Sequence, residues 1–180
     1  MDGDRPAGDA SSATLRRYEP RDRDAVWDLH RTALRAAGSD PEDVPHSDDI
    51  RDVRGNYLDT GGEFLVVEVG GRDPGGDAGG EVVAMGGLAV DGEEIPEGAG
   101  ELLRIAVAPD RQREGFGGQI VAGLEDAARE RGLDRVFLWT AQRQRSAVRF
   151  YRARGYQGTD HRTEGEYELL RFEKALGETR

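Results

Sequence analysis

Apolar positions recur along this chain in two rhythms, one that suits strands and one that suits helices. Thr14 to Tyr18 reads as a short strand. Behind it Asp22 offers an N-cap to a helix in which Val26, Leu29, Ala33, Leu34 and Ala37 share one face, and Gly38 ends that helix. The stretch SDPEDVP, with two prolines and three acids, is a loop, and Ser47 with Ile50 opens a second helix expected to run to about Leu58. EFLVVEV (63–69) and EVVAMGGLAV (81–90) are valine-rich strands joined by the flexible hairpin loop GGRDPGGDAGG. LLRIAV is a further strand, stopped by Pro109 and Asp110.

The strongest helix signal follows. From Gly115 to Arg131 the residues Ile120, Val121, Leu124, Ala127 and Ala128 form one apolar stripe, with Gly132 placed to supply a left-handed C-cap. RVFLWT (135–140) is a strand, Arg145 to Arg154 a helix closed by Gly155, and YELLRFEK (167–174) a last strand. The pattern predicts mixed α/β with one central sheet. Residues 1–13 carry almost nothing to bury and are expected to be a disordered tail, leaving a domain over 14–176.

Composition narrows the chemistry. The 180 residues suffice for one domain with a real core, and with no cysteine the chain has neither a disulfide framework nor a thiol nucleophile. His30, His46 and His161 share no ligand spacing, so no metal site is expected. No apolar run approaches a membrane span and the N-terminus lacks the pattern of a signal peptide, which predicts a cytoplasmic protein without a membrane partner. A net charge of -11 argues against nucleic acid as a partner, while an acidic surface can attract a cationic amine. Lys174 is the only lysine among the basic residues. Acidity with so few lysines fits either a high-salt cytoplasm or the codon bias of a GC-rich genome.

The segment LLRIAVAPDRQREGFGGQIVAGLEDAARERG carries the chemistry. A buried strand passes through a turn rich in Gly and Arg into a long helix, and that order makes an anion site. Gly115, Gly117 and Gly118 let a ligand approach the backbone, and Arg111 and Arg113 add charge, a combination that suits a pyrophosphate better than a carboxylate. It is not a Walker loop, because the helix opens Gly117-Gly118-Gln119 without the lysine and hydroxyl. Nor is it a dinucleotide fingerprint, because Ile120 stands where a third glycine or alanine belongs.

Gln112-Arg113-Glu114-Gly115-Phe116-Gly117 matches the Q/R-x-x-G-x-G/A pattern of the GCN5-related N-acetyltransferase (GNAT) family, which the chain resembles here. Further on, Gln144, Ala147, Phe150, Tyr151, Gly155 and Tyr156 resemble that family's second signature, in the right order and at the right distance. The resemblance implies a central, mostly antiparallel sheet of about six to seven strands flanked by about four helices. It implies acetyl-CoA as acyl donor, with Gln112 to Gly118, Glu114 included, wrapping the pyrophosphate. By the same resemblance Ile105, Ala106 and Val107 lie along the pantetheine arm, the Val107 amide polarises the thioester carbonyl, and Gln144 either contacts the arm or caps its helix.

Tyr151 falls where the family places a tyrosine that protonates the departing thiolate; the alternative is a packing residue on an amphipathic helix. Glu101 is the nearest match to the family's general base, against the alternative of a solvated strand-end charge, with Glu93 and Glu94 as weaker choices. Arg104, inside an apolar strand, either binds an anionic group of the acceptor or faces outward, opposite Leu103 and Ile105. The implied reaction is direct acetyl transfer to a primary amine, with a small-molecule acceptor expected and a homodimer allowed. The rival readings are a protein N-terminal or lysine acetyltransferase and a non-catalytic acetyl-CoA sensor.

Overall fold

The two valine-rich stretches pair with each other inside one seven-stranded sheet, where being apolar on both faces they need a layer on either side. The computed structural model describes residues 13–39, 47–70 and 80–177. The strands are β1 (Ala13–Arg17), β2 (Glu63–Val69), β3 (Glu81–Ala89), β4 (Ala99–Val107), β5 (Arg135–Ala141), β6 (Gln157–Glu164) and β7 (Tyr167–Ala175), in the order β1-β2-β3-β4-β5-β7-β6. Every neighbouring pair is antiparallel except β4 and β5, which run parallel. Most of the expected N-terminal tail, most of the loop after the first helix and most of the loop between β2 and β3 lie outside the described residues.

Among the described residues three α-helices cover the sheet: α1 (Arg23–Ala36), α2 (Phe116–Glu130) and α3 (Arg145–Ala153). The apolar stripe of α2 is buried as its periodicity required, and with Leu65, Leu102, Val136, Leu138 and Phe172 it forms the core on one face. On the other face Val26 and Leu29 of α1 meet Ile50, Val53, Tyr57, Phe64 and Met85. No helix among the described residues is long and apolar enough to cross a membrane.

Three local expectations change. The second helix is two short pieces, a 3-10 segment over Ser47–Asp52 and a wider π-type turn over Arg54–Leu58, whose single buried stripe of Ile50, Val53 and Tyr57 mimics α periodicity. Asp22 stands at the start of α1 but makes no side-chain bond to it. Its carboxylate instead accepts two hydrogen bonds from Arg16, at 2.7 Å each, and one from the Glu19 amide at 2.8 Å. Finally, β6 was not expected: QGTDHRTE presents no apolar side chain, and the strand exists through its ladder with β7.

Candidate acyl-transfer site

β4 and β5 are paired over only three rungs, Ala99 with Arg135, Gly100 with Val136 and Glu101 with Phe137, and beyond Glu101 they part. Strand polarity says what faces the gap. The Ala108 amide donates to the Val83 carbonyl across β3 at 2.8 Å, so on an antiparallel ladder Ala106 also turns its main chain toward β3. The main-chain groups of Val107 and Ile105, one residue out of phase, point the other way, into the space left by β5.

Below that gap the chain turns into α2. Arg113 has φ +68° and Gly115 φ +85°, two left-handed residues that curl the turn around its own amides. The first bond at the start of α2 runs from the Gln119 amide to the Gly115 carbonyl at 3.1 Å, so the amides of Phe116, Gly117 and Gly118 are left for a ligand. Gln112, Arg113, Glu114 and Gly115 are exposed, whereas Phe116 is buried and anchors the helix. Arg113 makes no ion pair among the described residues, and Arg111 lies 3.7 Å from Glu114 and 3.9 Å from Glu81.

The glycines differ in their reasons. A Cβ on Gly118 would come within 2.9 Å of the tip of Arg154, whose guanidinium donates to the Gly118 carbonyl at 2.8 Å, so a larger residue there would displace that guanidinium. A Cβ on Gly117 would meet Val107 and Phe150 only at ordinary contact distance. The openness at Gly117 therefore serves whatever approaches the backbone from outside.

α3 and the residue after it meet the start of α2 through Phe150 and Arg154, and Tyr151 stands next to Phe150 on that helix. Its ring meets Phe150 and Tyr156 edge-on, with centroids 5.1 and 5.6 Å away, and its hydroxyl has no hydrogen-bond partner among the described residues. Burial pushes the phenol well above its ordinary range, so it stays protonated. Behind it the Tyr156 hydroxyl donates to buried Glu125 at 3.1 Å, and Lys174 donates to the same carboxylate at 2.7 Å. Sequence reasoning missed this brace. The available signals were a carboxylate on the apolar stripe of α2 and the chain's only lysine. Gln144 occupies the N-cap position of α3 without a side-chain cap bond, and its Oε1 lies 3.5 Å from the Thr140 hydroxyl.

Glu101 sits at the point where β4 and β5 separate, partly buried, on the sheet face opposite Leu102 and α2. Burial raises its carboxyl pKa, Glu94 adds to the rise, and Arg162, Arg171 and Arg104 oppose it. The neighbouring rings carry guanidinium groups, Arg171 over Phe137 and Arg162 over Trp139, each 4.3 Å from the ring centre. Glu94 is mostly exposed and 3.3 Å from Arg162, and Glu93 is exposed.

Arg104 does not alternate with Leu103. The register passes from Leu103 opposite Gly87 to Ala106 opposite Met85, a bulge that holds Arg104 at φ +57°. Its guanidinium forks onto Asp49, Nη2 to Oδ1 at 2.9 Å and Nε to Oδ2 at 3.1 Å, and the Tyr57 hydroxyl donates to the same carboxylate. This settles neither onto an acceptor anion nor outward: Arg104 is spent on an internal pair.

His30 of α1 is buried close by, and burial together with Arg104 lowers its pKa to about 4, against a smaller opposing pull from Asp49. It is neutral in the fold while the unfolded imidazole titrates near 6.5. Stability from this group is therefore complete above about pH 6.5 and is lost as the pH falls toward 4, on the order of 3 kcal/mol in all. Thermal melts of wild type and His30→Gln across that window are expected to show a smaller acid-dependent drop in the variant.

Comparison with known proteins points the same way as the geometry. The model of the acetyltransferase (GNAT) family matches residues 23–156. Probable N-acetyltransferase family 8 member 5 of Mus musculus is 30% identical over 111 residues, which cover 62% of this chain and 45% of the mouse protein. The chain spans about half the length of the curated relatives it matches. Among solved structures, a GNAT-family acetyltransferase from Staphylococcus aureus Mu50 superposes with a TM-score of 0.75 at 14% identity, covering 92% of this chain and all of that one. A putative acetyltransferase of Salmonella typhimurium, yncA, solved with its cofactor acetyl-CoA, superposes at 0.71 with 16% identity, covering 94% of this chain and 96% of its own. The solved structures share the fold, the family model covers most of the residues, and the chain belongs to the acetyltransferase (GNAT) family.

Proposed function

We propose that this chain transfers the acetyl group of acetyl-CoA directly to the primary amine of a small molecule. The observation that carries the reading is the parting of β4 from β5 beyond Glu101, which opens a gap along β4 toward the uncapped start of α2. The residues fit the donor. The turn from Gln112 to Gly118 and the Arg113 guanidinium suit a pyrophosphate, and the inward amides of Ile105 and Val107 suit the amide-bearing pantetheine arm, with Ala106 between them and Gln144 at the start of α3.

When bound, acetyl-CoA supplies an activated thioester. The protein's own contributions are four: the turn neutralises phosphate charge, the Val107 amide is aimed to stabilise negative charge on the acyl oxygen, Glu101 accepts a proton from the ammonium, and Tyr151 donates one to the departing sulfur. The chain has no cysteine to carry an acetyl group, and direct attack by the amine needs none. A net charge of -11, with Glu101 and Glu94 beside the gap, supports a cationic amine as acceptor.

A panel of polyamines, amino acids, aminoglycosides, peptide N-termini and lysine peptides, assayed for thiol release with acetyl-CoA, tests the reading. Turnover with a small amine is expected. Release only with peptides would make the acceptor a protein, and calorimetric binding of acetyl-CoA without release with any amine would leave a sensor.

A further inference from the structure

The Arg104 to Asp49 pair joins two segments 55 residues apart, and no step of the proposed reaction uses either side chain. Arg104 is a residue with a Cβ held at φ +57° in the middle of a strand, a conformation that has to be enforced from outside. The enforcement is visible. The two-point fork to Asp49 is partly buried, Asp49 also receives the Tyr57 hydroxyl, and Tyr57 is locked in the core at 2% exposure against Phe64, ring centres 5.2 Å apart.

What the bulge accomplishes is a change of phase. Before it, Leu102 packs toward α2 and Leu103 toward α1; after it, Ile105 and Val107 pack toward α2 and Ala106 toward α1. The extra residue therefore decides how the Ile105 and Val107 amides meet the gap beside β5. We propose that Arg104 and Asp49 are positioning residues, whose fork holds the β4 bulge and so aims these two amides at the pantetheine arm of the donor. The proposal rests on the acetyl-CoA reading of the site.

The test separates the arm from the cradle. Calorimetry measures two ligands on wild type, Arg104→Ala, Asp49→Ala and the double variant: coenzyme A, and 3′-phospho-ADP, which is coenzyme A without its arm. Each single variant is expected to bind coenzyme A about 10-fold more weakly while binding 3′-phospho-ADP within about 2-fold of wild type, and the double variant to be no worse than either single one. Arg104→Lys should behave like Arg104→Ala, because an ammonium cannot make the fork. Arg104→Gly tolerates the positive φ and keeps the question open to measurement should Arg104→Ala not fold; it too is expected to lose coenzyme A affinity.

Unchanged coenzyme A binding in the variants overturns the proposal, as does an equal loss for both ligands or additive losses in the double variant. A wild-type protein that binds neither ligand overturns the acetyl-CoA reading itself, and the proposal with it.

Discussion

Tyr151→Phe is expected to lower kcat by about 10³-fold with little change in acetyl-CoA affinity, the range that a positioned acid contributes. The substitution is clean. Phenylalanine preserves the edge-on contacts with Phe150 and Tyr156, and the lost hydroxyl has no partner among the described residues, so no buried group is left unsatisfied. Melting temperature should stay within a few degrees of wild type.

The direction of the pKa shift bears on this role in two ways. A phenol pushed up by burial is fully protonated across the working pH range, as an acid must be, and no loss of activity below about pH 10 should come from its ionisation. A raised pKa also makes the phenol a reluctant donor to a thiolate of ordinary pKa near 8.5. A sulfur departing within reach of that buried hydroxyl would meet equally dry surroundings, which penalise its anion for the same reason and would narrow the mismatch. If Tyr151→Phe turned over at the wild-type rate, Tyr151 would be a packing residue. Tyr156→Phe is the contrasting variant, because Lys174 still holds Glu125 when the Tyr156 hydroxyl is gone.

The parts of this site that were legible in the sequence are those built by consecutive residues. The turn and α2 were readable because glycine, arginine and a 3.6-residue stripe are local signals, and Ile120, Val121, Leu124, Ala127 and Ala128 are all buried as that stripe requires. The helix that carries Tyr151 was readable too, with Gly155 closing it in the left-handed conformation. Distant pairing left no such mark. Nothing in AGELLRIAV announces that β4 runs parallel to β5 for three rungs and then leaves it, since that is set by partners 36 residues away. The bulge was hidden for a sharper reason: left-handed backbone is usually flagged by Gly, Asn or Asp, and here an arginine occupies it, its side chain forked onto Asp49 from a distant segment. β6 and the wound segment over 47–58 show the two opposite errors, a strand with no apolar signal and an apolar period without an α-helix.

Glu101→Gln is expected to cost a comparable 10²- to 10³-fold in kcat at neutral pH, and its signature lies in the pH dependence. A base works as the carboxylate. With its pKa raised by burial and by Glu94, the wild-type rate should fall as the pH drops through a value above the ordinary 4.5, and the variant should lack that limb. Stability should move in the opposite sense. Because the folded-state pKa is raised, the native protein holds the proton more tightly than the unfolded chain, so ionised Glu101 costs stability at every pH above its folded pKa, and protonation restores it as the pH falls through that value. Glutamine keeps the shape without the charge, and Glu101→Gln is therefore expected to melt at a higher temperature than wild type at pH 7 while being nearly inactive. A solvated strand-end carboxylate would give neither effect: turnover within 2-fold of wild type and an unchanged melting temperature would remove Glu101 from the mechanism. Both effects together follow from one physical cause, a carboxylate kept partly dry where the two strands part, destabilised in the fold and for that reason basic enough to take a proton from an ammonium group.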